Sequence, residues 1–293
     1  MLKELLIITL SVTNTATVEE AYSEYFGYET VETGEVSDAL ADLWQTPQMS
    51  GRKYLIMKPS AMTPVYLRFV ENDPVEAFSW TSTQGWNAFE LVVNSPDALV
   101  PHLAGSPFKL LGQPKDLYPV EGAPRVMQVT GPAGEVVYLT RPSGGVSTAK
   151  PEPTFVGRSF IVVTGGTDIE AARKYWNKSF NTPVAPAQNY KITTISKLND
   201  LPLDTEYPLA IVPTQGKSII ELDGYPKGWP KRTAAEGMLP PGMAAVGFLL
   251  NSFNSFNGKW QSEPRAIEEF PYNGRQVGLT VGANGEWIEL VAE

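Results

Sequence analysis

The chain has no cysteine, which excludes disulfide scaffolds, thiol nucleophiles and thiolate metal sites together. It has one histidine, His102, so no multi-histidine metal centre can be assembled, and a Ser–His mechanism is disfavoured. Positive charge is scarce as well: 23 Lys and Arg stand against 32 Asp and Glu, a net charge of −9. With no Lys/Arg run to neutralise phosphates, no nucleic-acid partner is expected, and the acidic balance reads as solubility. No apolar run approaches the roughly 20 residues that cross a bilayer, so no membrane partner is expected either. The opening MLKELLIITLSV has Glu4 where a leader would be basic, a short apolar run and no small-residue cleavage site. It alternates as a strand after Ile7, and a cytoplasmic location is expected.

What is present is an ordinary globular chain of 293 residues, long enough for about two domains. It repeats itself. GWNAFELVVNS at 85–95 matches GMAAVGFLLNS at 242–252, and GPAGEVVYL at 131–139 matches GANGEWIEL at 282–290. VYLRF at 65–69 answers IIELD at 219–223, with Tyr66 falling on Glu221, and IITLSV through AYSEYFGY answers FIVVTG through KYWNKSF. Four segments in one order at nearly one offset define two copies, domain 1 at 1–145 and domain 2 at 155–293. The Pro/Gly/Ser/Thr-rich stretch RPSGGVSTAKPEPT at 141–154 has linker composition, with the linker placed at 146–154.

Within each copy the pattern splits again into two units, each an alternating strand, an amphipathic helix and further short strands. Period-2 alternation puts Val65, Leu67 and Phe69 on the helix-packed face and turns Tyr66 and Arg68 the other way. By the same parity Trp86, Ala88 and Glu90 share a face. A strand, a helix and then strands make an α+β layer with one sheet face free, and two such sheets enclose a cup.

The strand ITLSVTN, the helix ending YFGY and the terminal G-x-x-G-E-x-x-x-L strand resemble the βαβββ modules of the vicinal oxygen chelate superfamily, which includes glyoxalase I, extradiol dioxygenases and bleomycin-resistance proteins. The resemblance covers nearly the whole chain as four modules, about 2–75, 85–142, 157–225 and 241–293, and implies two glyoxalase-like domains with cupped mixed sheets. Metal-dependent members place one ligand on the first strand of each module and a Glu on its last. The matching positions are Ile7, Tyr66, Trp86 and Tyr138 in the first copy, and Ile161, Glu221, Met243 and Glu289 in the second. The first set offers no usual ligand. The second keeps two carboxylates, which with waters would hold a hard cation only loosely. No cofactor is expected; a divalent metal on Glu221 and Glu289 is the weaker alternative.

Glu90 is expected in the cup as a general base, its pKa raised by partial burial, with Arg68, Tyr66 and Tyr138 polarising substrate oxygens. The competing reading pairs Glu90 with Arg68 as a structural bridge. Thr9, Trp80 and Trp86 are candidate substrate contacts, and Trp287, Glu221 and Glu289 are candidates in the second copy, the two acids as an acid/base pair or as relics of a metal site. His102 reads as a surface or helix-end residue, and the glycines of GPAGE and GANGE as hairpin turns. Three functions stay open: a metal-independent lyase or isomerase acting on a small oxygenated cyclic or aromatic molecule; a non-catalytic binding or sequestering protein of the bleomycin-resistance type; and a glyoxalase-like metalloenzyme using the second domain. The expected partner is a small molecule, and the expected assembly a monomer or homodimer.

Overall fold

The computed structural model describes residues 2–76, 78–146 and 150–293; residues 147–149 of the expected linker lie outside the described residues. The first module contains β1 (Leu2–Val12), α1 (Thr15–Phe26), β2 (Tyr28–Glu35), α2 (Asp38–Trp44), β3 (Lys53–Pro59) and β4 (Tyr66–Glu71). The second contains β5 (Gly85–Val93), α3 (Pro96–His102), β6 (Lys109–Asp116), β7 (Arg125–Thr130) and β8 (Val136–Arg141). The third contains β9 (Val156–Gly166), α4 (Ile169–Phe180), β10 (Gln188–Lys191), α5 (Thr193–Leu198), β11 (Glu206–Pro213) and β12 (Ile219–Gly224). The fourth contains β13 (Gly242–Leu250), β14 (Ser262–Ile267), β15 (Arg275–Val281) and β16 (Trp287–Ala292), with a 3-10 turn at Phe253–Ser255 where the other modules carry a helix.

Local chemistry sets these boundaries. Asn14 accepts the Thr17 amide at 3.1 Å to start α1, and Gly27, at φ 63°, ends it. Asp168 caps α4 in the same way, and Asn181 closes it in the left-handed region. Ser95 and Pro96 open α3, which ends at the exposed His102. The GPAGE and GANGE segments are hairpin turns, with Gly134 at φ 84° and Gly285 at φ 85°.

Among the described residues sixteen strands form two eight-stranded mixed sheets in the orders β14-β15-β16-β13-β1-β4-β3-β2 and β10-β11-β12-β9-β5-β8-β7-β6. Here the structure corrects the expected partition. The first sheet joins the first module to the fourth through the antiparallel β1–β13 seam, and the second joins the second to the third through β5–β9. Each cup is therefore assembled across the two sequence copies. The physical reason is that β1 and β5 are almost wholly buried strands. A buried strand reads as a continuous apolar run, which identifies a strand and not its neighbour.

The helix-packed faces of both sheets share one core. Leu67 and Phe69 from β4, Phe89 and Leu91 from β5, Tyr22 of α1 and Trp176 of α4 all belong to it. The opposite, concave faces form the two cups. The expected parity holds along β4, and Glu90 faces its cup. Trp86 does not. A bulge between Trp86 and Ala88 adds a residue to β5, so Trp86 turns into the shared core beside Trp176 and Phe248, at ring centroid distances of 6.3 and 6.4 Å.

Candidate functional site

Corresponding strands put corresponding residues on the floors of the two cups. Across β1–β4, Ile7 pairs with Tyr66 and Thr9 with Arg68; across β9–β12, Ile161 pairs with Ile219 and Val163 with Glu221. Gly247 pairs with Glu289 as Glu90 pairs with Tyr138. Arg68, rather than Tyr66, is therefore the counterpart of Glu221, a two-residue correction to the repeat alignment. The first cup's floor set is Thr9, Arg68, Gly247 and Glu289; the second's is Val163, Glu221, Glu90 and Tyr138.

The first cup is closed by its own side chains. Arg68, 1% exposed, donates from Nε and Nη2 to Thr9 Oγ1 (3.1 and 2.8 Å) and from Nη2 to Glu289 Oε1 (2.8 Å). Trp44 Nε1 donates to Glu289 Oε1 at 2.7 Å, and the Tyr272 hydroxyl to Oε2 at 2.6 Å. The guanidinium carbon sits 4.8 Å from the Trp44 ring centre and 5.5 Å from that of Tyr272. Burial pulls Arg68 down, but Tyr272 and Glu289 outweigh it and hold the group above its ordinary value. A Cβ on Gly247 would lie 2.7 Å from Ile7 Cγ2 and 3.1 Å from Glu289 Oε2, so the absence of a side chain there lets the glutamate fit. Around this network pack Ile56, Leu279 and Val291, which cover its floor residues.

The second cup is open. A cavity of about 610 Å³ is lined by Glu90, Tyr138, Thr140, Phe160, Tyr190 and Glu221, among others. Glu90 Oε2 accepts the Thr140 hydroxyl at 2.8 Å. Burial, then the nearby Glu221 charge, push Glu90 up to about 8 against that hydrogen bond. Glu221 hydrogen-bonds to Asp223, one inward step further along β12, and burial followed by the Asp223 charge raises it well above the carboxylate range. Burial and Glu90 raise Asp223 to about 7, opposed by the hydrogen bond from Glu221. Two carboxyls in that relation titrate together rather than singly. The Tyr138 phenol, with a hydrogen bond to Thr194, is raised by burial and then by Asp223 and Glu221.

The expected site residues thus separate. Glu90, Tyr138 and Glu221 come together in the second cup, whereas Arg68, Thr9 and Glu289 lock the first. Tyr66 is half-buried at the first cup's mouth, its ring edge-on to Phe270 at 4.9 Å. The Glu90–Arg68 bridge and the Glu221–Glu289 pair do not form, because each would join residues of different sheets. Trp80 donates to the Ala133 carbonyl at 3.2 Å beside the β7–β8 turn, and Trp86 to the carbonyl of Trp287 at 2.8 Å; Trp287 is half-buried against the first cup's filling. None of the three lines the cavity. His102 bonds the Tyr25 carbonyl at 2.9 Å from its helix end. Asp223 and Thr140 were not singled out from sequence, although the parity of IIELD and VVYLT places them beside Glu221 and Tyr138.

The floor of the second cup offers two carboxylates, a phenol and a valine. Among the described residues no group of three or more His, Asp or Glu is arranged to hold a metal ion, so the side chains present do not fit a divalent-metal centre.

No protein-family model and no curated protein matches this sequence. Solved structures do match in shape. Glyoxalase I from Zea mays superposes with a TM-score of 0.65 at 15% identity, over 99% of this chain and 92% of that one. A candidate dioxygenase from Bacillus subtilis superposes with a TM-score of 0.62 at 9% identity, over 99% of this chain and 85% of that one. At these identities the likeness is one of fold.

Proposed function

We propose that this chain, which has the vicinal oxygen chelate fold, is a metal-independent proton-transfer enzyme, a lyase or isomerase acting on a small oxygenated cyclic or aromatic molecule in the second cup. The observation that carries the reading is Glu90 lining one cavity together with Glu221, with Asp223 beside Glu221 on β12. Glu90, once ionised, takes a proton from a carbon next to a substrate carbonyl. Glu221 gives its proton to the oxygen on which charge develops, and Asp223 stabilises the change. Return of the proton from Glu90 to a different carbon, as the oxygen's proton passes back to Glu221, completes an isomerisation; departure of a β-substituent that takes the proton from Glu90, again with the oxygen's proton passing back to Glu221, completes an elimination. Tyr138 holds the substrate oxygen in place of the arginine expected from sequence. At pH 7 a carboxyl titrating near 8 is about one-tenth ionised, enough for a base that is strong because of its raised pKa.

The test is exchange of substrate C–H for deuterium in heavy water, followed by mass spectrometry across a panel of small cyclic and aromatic carbonyl compounds. Glu90→Gln is expected to lower exchange at least tenfold and Glu221→Gln to a similar degree, with near-UV circular dichroism retained. A compound that binds in the cup without exchange under any condition would instead establish a sequestering protein.

A further inference from the structure

Glu221 and Asp223 lie two residues apart on β12, and among the described residues neither takes part in an ion pair. Two lysines line the same cavity, but Lys115 is bonded to Thr193 Oγ1 at 3.2 Å and Lys191 is exposed on the edge strand β10. Asp223 is 3% exposed, and its buried Oδ1 has no hydrogen-bond partner. In the first cup the counterpart of Glu221 is Arg68, and there the acid that meets it from β16, Glu289, is fully paired. The second cup keeps acids on its floor, and its two lysines stand at the rim, paired with neither of them.

Its mouth is apolar. Leu117, Tyr118 and Tyr190 line the cavity while remaining 48, 50 and 38% exposed, and Val120 beside them is 63% exposed. Large apolar side chains left in water at the edge of a charged pocket mark where the apolar part of a ligand rests. The rings of Phe160, Tyr138 and Tyr190 in the wall suit a cation, whose charge is attracted to aromatic faces.

We propose that the second cup takes an amphiphilic cation, with an ammonium group held against the Glu221–Asp223 pair and an apolar body lying on Tyr118 and Tyr190 at the mouth. The inference rests on this cavity being the working site and names the class of its substrate. It also fits the proposed chemistry: when Glu221 gives up its proton, the ammonium offsets the negative charge left beside Asp223.

Isothermal titration of the full chain with four probes tests it. Benzyltrimethylammonium carries both features, tetramethylammonium the charge alone, benzyl alcohol the ring alone, and benzoate the ring with the opposite charge. Benzyltrimethylammonium is expected to bind at least tenfold more tightly than tetramethylammonium or benzyl alcohol, with benzoate weakest. Glu221→Gln and Asp223→Asn are each expected to weaken it at least tenfold while leaving benzyl alcohol within twofold. Benzyl alcohol or benzoate matching the ammonium on the unaltered protein overturns the ligand class whether or not either variant folds. That result leaves the proton-transfer reading intact if Glu90→Gln still abolishes exchange; ammonium selectivity without exchange on any substrate does the reverse.

Discussion

Replacing Glu289 with Gln removes the charge that Arg68 faces, with both side chains fully buried. Breaking a buried pair in this way costs about 3–5 kcal/mol, so urea unfolding of Glu289→Gln is expected at a clearly lower midpoint, without a change in cup-two binding. Glu90→Gln should behave oppositely. At pH 7 the Glu90 carboxyl, titrating at about 8, is mostly protonated, and an amide of the same shape replaces it at little cost; its unfolding midpoint should stay near that of the unaltered protein. Parity along AFELVV made Glu90 legible as an inward acid, and the family resemblance pointed to Glu221. Which cation each would meet was not legible, because Arg68 lies 22 residues before Glu90 and faces a different sheet.

At the scale of elements, the repeat made the four modules readable, while two features escaped it. The bulge in β5 has no composition signal, and it moved Trp86 off the cup face. The helix α2, capped by the Ser37 side chain, delivers Trp44 into the first cup; the second cup receives α5, whose Ile195 packs with Tyr207 and Tyr225 while the cavity stays open. Trp44→Ala should therefore do two things at once. It opens a buried void and removes one of the donors to Glu289, and large-to-small changes of this size cost about 3–5 kcal/mol. Differential scanning calorimetry should show the loss, and 1-methylindole added to the variant should restore part of it by filling the void; no restoration would mean that the cup collapses around the gap.

At the scale of the whole molecule, several acids are buried with raised pKa. Glu90 reaches about 8, with Glu221 and Thr140 against it; Glu135, bonded by Tyr22, Asp223, beside Glu221 and Glu90, and Glu286, bonded by the Asn284 amide, each reach about 7. Burial is the first cause in every case. A folded-state pKa above the unfolded value means that the native state binds more protons, so this contribution is complete below about pH 4.5 and is lost as pH rises through 7 to 8. The melting temperature is expected to fall between pH 5.5 and 8.5, and the combined Glu90→Gln and Asp223→Asn variant to flatten that slope; a melting temperature that climbs over this range would contradict the account. The pairing of the first module with the fourth has a consequence in time. During synthesis β1 emerges early, yet its partner β13 follows only after residues 13–241 have been made, roughly 10–50 s later at ordinary ribosome speeds. The second sheet, contained wholly within that interval, can close first, and the nascent first module must wait beside it with a bare strand edge, exposed to other chains until the last fifty residues arrive to cover it.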